Sequence, residues 1–155
     1  MEKEKSELVL WSPSFSVGVK IVDDQHKGLF DLVNEMFNHV IGDEVAERAY
    51  FQKVIQEAIE YIKIHFATEE KIMIATKFPG YTEHKKAHDS FVLAVFDNIK
   101  DYEAGKKFTL ATFTRFLKEW ILTHIAVMDK GYFEYFKKIA SHGVDVKLDI
   151  NSSSV

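Results

Sequence analysis

Residues 44–76 read EVAERAYFQKVIQEAIEYIKIHFATEEKIMIAT, and this stretch decides the fold. Val54, Ile55, Ala58, Ile62, Phe66 and Met73 recur at helical spacing, with charged and polar side chains between them. That period belongs to an α-helix with one face against a core, not to a strand. Neither glycine nor proline interrupts the run, and Lys77-Phe78-Pro79-Gly80 then ends it, because both residue types stop helices.

The same pattern appears on either side. Upstream, Asp23 or Asp24 is placed to cap a helix whose apolar positions are Leu29, Phe30, Val33, Met36, Phe37 and Val40, and Gly42 stops it. Downstream, a third helix is predicted from about Thr82 to Ala104, ending at Gly105. A fourth follows a Thr109 cap and carries Phe113, Phe116, Leu117, Trp120 and Ile121 on to about Asp129. Gly131 is expected to bend the chain before a short aromatic helix, Tyr132 to Ile139.

Residues 1–22 read differently. VLWSPSFSVGV, at 9–19, holds Pro13 and Gly18 among β-branched and aromatic residues and lacks a helical period. The expectation is an all-α protein, an antiparallel up-down-up-down four-helix bundle over residues 23–140, with an extended N-terminal arm at 1–22 and a C-terminal tail at 141–155. The tail, from His142 onward, is expected to fray, and the sequence contains neither an internal repeat nor a low-complexity segment.

The 155 residues suffice for one domain with a substantial core, and 46% hydrophobic with 28% charged residues is ordinary globular composition. A net charge of −4 provides no basic surface for phosphate, so nucleic acid is not an expected partner. With no cysteine, disulfides, thiolate metal sites and iron–sulfur clusters are excluded. No run approaches the roughly 20 apolar residues of a membrane span, and the opening MEKEKSELVL has no signal-peptide core. A cytoplasmic protein without a membrane partner is the expectation.

The histidines carry the functional signal. His65 and Glu69 are four residues apart, as are His84 and His88. Four residues make one turn plus about 40°, so each pair points from one helix face toward a common volume. His26 lies one turn into the first helix and His124 lies on the fourth, so every helix of the bundle offers an imidazole. Asp129 follows His124 by five residues, a rotation of about 140° on a regular helix. A local π-turn is therefore predicted at 124–129, a feature frequent at functional sites.

Each of these residues alone has an ordinary structural explanation. Glu69, followed by Glu70 and Lys71, could belong to a solvated face, and Phe66 and Trp120 to the core; His39 and His142 fit no ligand spacing. Jointly they do not. Burying so many titratable groups without partners costs several kcal/mol, and a metal pair resolves it. Imidazole and carboxylate without thiolate suit iron or manganese better than structural zinc.

Four motifs then make the chain resemble the bacterial hemerythrins: DDQH at 23–26, HFATE at 65–69, HKKAH at 84–88 and HIAVMD at 124–129. Trp11 and SVGV at 16–19 are similar to that family's N-terminal arm, and the likeness runs from about Leu10 to Ala140. The resemblance implies two non-haem iron ions bridged by an oxygen atom, with His84, His88 and His124 on one iron, His26 and His65 on the other, and Glu69 and Asp129 between them. It also implies reversible dioxygen binding at the iron with fewer ligands, beneath an apolar pocket of Leu29, Phe66, Trp120 and Ile125. Core packing explains Leu29 equally well, whereas Ile125, next to a ligand position, reads as pocket wall. The second helix, its entry loop and the tail beyond Gly143 depart from the family pattern, and none of them touches the ligand positions.

Two other functions compete. A di-iron oxidase or peroxidase would use a similar bundle, but such sites carry Glu-x-x-His pairs, and none occurs in this chain. A nitric oxide- or iron-sensing module could use the same seven residues. Oligomeric state is not legible.

Overall fold

The computed structural model describes residues 4–106 and 109–141. Those residues form a short 3₁₀ turn, Pro13–Phe15, and then helices α1 (Lys20–Asn38), α2 (Glu44–Ala75), α3 (Tyr81–Glu103) and α4 (Leu110–Thr123). A π-helical segment, His124–Asp129, continues α4 into α5, Lys130–Ser141. The result is the four-helix bundle that the periodicity predicts. The tail, with His142, lies outside the described residues. Among the described residues no helix is long and apolar enough to cross a membrane.

Three boundaries differ from the sequence reading, the first being that α1 ends at Asn38, before Val40 and Gly42. Helix α1 begins at Lys20, not at Asp23, because the Asp23 carboxylate does not cap its own helix. It accepts the Val17 N–H at 2.8 Å and the Ser16 hydroxyl, folding the arm back onto the first turn, where a negative charge suits the helix dipole. The arm is further tied down by Asn34, whose Oδ1 accepts the N–H groups of Leu8 and Val9. Gly131 does not bend the chain either. The irregularity falls earlier, in the π segment, and α5 runs on through Gly131 as regular helix.

The remaining ends have local causes. Asp43 caps α2 by accepting the Ala46 N–H, and Glu47 Oε1 closes the preceding loop by accepting from Ile41 and Gly42. Gly105, at φ +70°, takes the left-handed conformation that closes α3. Thr109 caps α4 through the Thr112 N–H, as predicted.

The core is divided. A larger apolar cluster includes Leu29, Phe30, Phe51, Ile62, Phe66, Phe91, Phe113, Leu117 and Ile125. A smaller one gathers Val17, Val22, Ile72, Met73, Tyr132 and Phe133. Along each contributing helix a polar residue separates the two: His26 between Val22 and Leu29, Glu69 between Phe66 and Ile72, Asp129 between Ile125 and Tyr132. A polar layer is thus sealed by apolar side chains above and below it.

Packing beside that layer is tight. A methyl group at Gly28 would stand 1.9 Å from Tyr61 Oη, which donates to the Gln25 carbonyl at 2.9 Å. Gly28→Ala is therefore expected to expel the tyrosine and destabilise the fold by about 1–3 kcal/mol. Thermal unfolding checks this; an unchanged melting temperature would show that Tyr61 yields freely.

Candidate metal centre

The antiparallel arrangement brings seven predicted residues to one end of the bundle: His26 near the start of α1, His65 and Glu69 near the end of α2, His84 and His88 at the start of α3, and His124 and Asp129 across the π segment. All seven are buried. His39 does not join them; it is exposed and stacks on Tyr50 at 3.7 Å.

The two carboxylates divide the imidazoles into two sets. Glu69 Oε1 lies 3.1 Å from Nε2 of both His26 and His65, while its Oε2 lies 3.2 Å from His88 Nε2 and 3.7 Å from His84 Nε2. Asp129 repeats the division, with Oδ2 3.1 Å from His26 Nε2 and Oδ1 3.0 Å from Nε2 of both His84 and His124. Two overlapping donor groups result, one of Glu69, His84, His88, His124 and Asp129, the other of His26, His65, Glu69 and Asp129. The five-residue step from His124 to Asp129 reaches the common volume because the helix widens there into the predicted π-turn.

These donors suit cations better than one another. His124 Nε2 faces His84 Nε2 and His88 Nε2 at 3.0 Å each, besides Asp129 Oδ1 at 3.0 Å, and a single N–H can serve one of the three. Glu69 Oε2 and both Asp129 oxygens are buried without a properly directed hydrogen bond. Such orphaned acceptors are costly unless something else occupies their lone pairs. Neighbouring donors around an octahedral ion with bonds of about 2.1 Å stand about 3.0 Å apart, which is the spacing found here. The residues fit a pair of metal ions.

Electrostatics point the same way. Burial opposes ionisation of Glu69, yet the imidazoles of His65, His26 and His84 hold its carboxyl well below the usual range. Burial and the charge of Glu69 both raise Asp129, but His124, His26 and His84 outweigh them and lower it. Burial depresses His26 and His84, and the facing carboxylates more than reverse this, bringing both to about 9. At His124 burial wins and the pKa falls. Two buried anions here demand positive charge close by.

The four predicted pocket residues line the layer unequally. Phe66 stacks on His88 at 3.8 Å with planes 4° apart, and its ring centroid is also 5.9 Å from that of His65. Trp120 stacks on His124 at 4.3 Å. Both rings therefore rest chiefly on the three-histidine set. Leu29 and Ile125 are buried in the larger apolar cluster that adjoins the layer.

Two residues were invisible in the sequence. Gln25 Oε1 lies 2.9 Å from His65 Nδ1, and Glu70 Oε1 lies 3.0 Å from His88 Nδ1. Their only sequence signal is adjacency, Gln25 to His26 and Glu70 to Glu69. Each turns toward a histidine of another helix.

The chain is similar to known proteins over most of its length. The family model described as the hemerythrin HHE cation binding domain matches residues 17–136. The bacteriohemerythrin of Methylococcus capsulatus is 32% identical over 126 residues, covering 81% of this chain and 94% of that protein. The hemerythrin of Phascolopsis gouldii is 31% identical over 130 residues, 84% of this chain and 92% of that one. Among solved structures, wild-type hemerythrin superposes with a TM-score of 0.73 at 32% identity, covering 82% of this chain and 96% of the other.

Proposed function

The chain belongs to the hemerythrin family, and on that premise we propose that it binds dioxygen reversibly at a pair of non-haem irons bridged by an oxygen atom. The observation that carries the reading is the shared use of two carboxylates, each turning one oxygen to each set of imidazoles. His84, His88 and His124 would hold one iron, His26 and His65 the other, and Glu69 and Asp129 both. When bound, the pair supplies the two electrons that dioxygen takes up on binding and gives back on release.

The protein's own share is electrostatic and steric. Glu69 and Asp129 offset part of the cationic charge in a layer closed to water. The two-histidine side has one protein donor fewer, which leaves room there for a small molecule, as reactive metal sites require. Phe66, Trp120, Leu29 and Ile125 close the layer toward the larger core and keep out water and protons that would strand the irons in an oxidised, inert state. The role is oxygen storage, delivery or sensing, and the absence of Glu-x-x-His pairs sets it apart from the carboxylate-rich oxidising enzymes.

The test is an oxygenation cycle. After anaerobic reduction of the iron-loaded protein, admitted oxygen is expected to raise a visible absorption band, and its removal to abolish the band without net oxygen consumption. Continued consumption in the presence of a reductant would favour an oxidase instead. Zinc, or a single metal per chain, would sink both readings.

A further inference from the structure

The imidazoles of the layer turn Nε2 inward, and their outer nitrogens are not treated alike. His88 Nδ1 lies 3.0 Å from Glu70 Oε1. A carboxylate only accepts, so the imidazole N–H must sit on Nδ1, leaving the Nε2 lone pair facing the layer. His65 Nδ1 lies 2.9 Å from Gln25 Oε1. The amide orientation there follows from Thr68, whose hydroxyl donates to the Ile64 carbonyl and accepts from Gln25 Nε2 at 3.0 Å. His26 Nδ1 is buried without a partner. The three-histidine set thus has an anion behind one imidazole, and the two-histidine set has only a neutral amide.

Glu70 is also held where it can control its ring. Phe66 stacks flat on His88, 4° from parallel, which fixes the plane of the imidazole but not its rotation within that plane. The Glu70 carboxylate supplies the missing constraint. Its charge does something an amide cannot: it draws the Nδ1 proton outward and makes Nε2 a stronger donor to a highly charged metal ion.

Resting on the di-iron reading above, we infer that Glu70 is a positioning residue for His88 that adds to the inequality set by the donor counts, favouring the ferric state at the three-histidine side. Gln25 holds His65 in the corresponding tautomer without that bias. This added bias comes from a residue that acts only through an imidazole.

The inference separates charge from geometry, and so does its test. Glu70→Gln keeps an acceptor oxygen behind His88 and removes the charge; Glu70→Leu removes both. In iron-loaded protein, Glu70→Leu is expected to lose iron to a ferrous chelator at about 10- to 100-fold lower concentration. Glu70→Gln should hold iron within a few-fold of the parent yet show a more positive midpoint potential in a spectroelectrochemical titration. Gln25→Glu should move the potential the opposite way. Glu83→Gln, which removes an exposed charge paired with Lys86, is the control and should leave the potential unchanged. If Glu70→Leu fails to fold, as circular dichroism would show, Glu70→Gln still decides the matter. A Glu70→Gln potential equal to that of the parent overturns the inference. A parent chain that takes up no iron pair overturns the di-iron reading instead, so the two failures are distinguishable.

Discussion

Glu69→Ala is expected to cost the chain both metal ions and to lower its thermal midpoint by roughly 10 °C, on a scale of about 2–4 °C per kcal/mol for a domain of this size. Glu69 is fully buried, with one oxygen 3.1 Å from His26 and His65 and the other 3.2 Å from His88. Removing it takes a donor from both sets at once. Asp129 would then be the one carboxylate left in a layer of five imidazoles, and breaking a buried charge pair by removing one partner costs about 3–5 kcal/mol. Loss of bound metal adds to this, because metal that binds only the folded state stabilises it. Metal analysis and thermal unfolding, with and without chelator, read the two effects separately. His39→Ala is the control: its ring is exposed, and the change should stay within about 0.5 kcal/mol with iron content intact. Full iron content in Glu69→Ala would mean that the carboxylate is not shared between two ions.

Deleting one residue from the rod formed by α4, the π segment and α5 is expected to have opposite outcomes at two positions. Glu119 lies in regular α-helix, on an exposed position. Its removal rotates everything beyond it by about 100° relative to what precedes it. Leu117 and Ile121, then three apart, would still share a face, but His124 would turn out of the layer and the rest of the rod would lose its phase. Iron binding should vanish, with a loss of at least 3 kcal/mol, about the cost of truncating a large core side chain. Val127 lies inside the π segment with two-thirds of its surface exposed. Its removal converts a five-residue step between His124 and Asp129 into a four-residue step, the spacing that already aligns His65 with Glu69. Both side chains stay on one face, and Tyr132 and Phe133 keep their phase against the smaller core cluster. The shortened chain should retain both metal ions and lose no more than about 1–2 kcal/mol. If the Val127 deletion loses iron as completely as the Glu119 deletion, the π segment is not a device for keeping register.

Both expectations grow from features of different legibility. The helices could be read because their causes are local: the apolar period within α2, Thr109 as a cap, Gly105 and Pro79-Gly80 as stops. The π segment could be read too, since the five-residue interval was a mismatch that an ordinary helix would not reconcile. The start of α1 could not. An aspartate ahead of an apolar run looks like a cap, and only the return of the arm shows Asp23 spending its oxygens on Val17 and Ser16. Gly131 likewise looked like a bend, but α4 and α5 are held in line on either side of it by the packing of Ile125, Tyr132 and Phe133.

The seven polar positions and their grouping by helix are written in the sequence, because spacings of four and five residues fix directions on a helix face without reference to anything else. How they meet is not. Which carboxylate oxygen turns to which imidazole, and which rings Phe66 and Trp120 cover, depend on how four rods pack. So do the partners behind the histidines: Glu70 meets His88 across 18 residues of chain, and Gln25 meets His65 across 40. Helical periodicity reaches only a turn or two, so contacts at those separations were decided by the bundle alone.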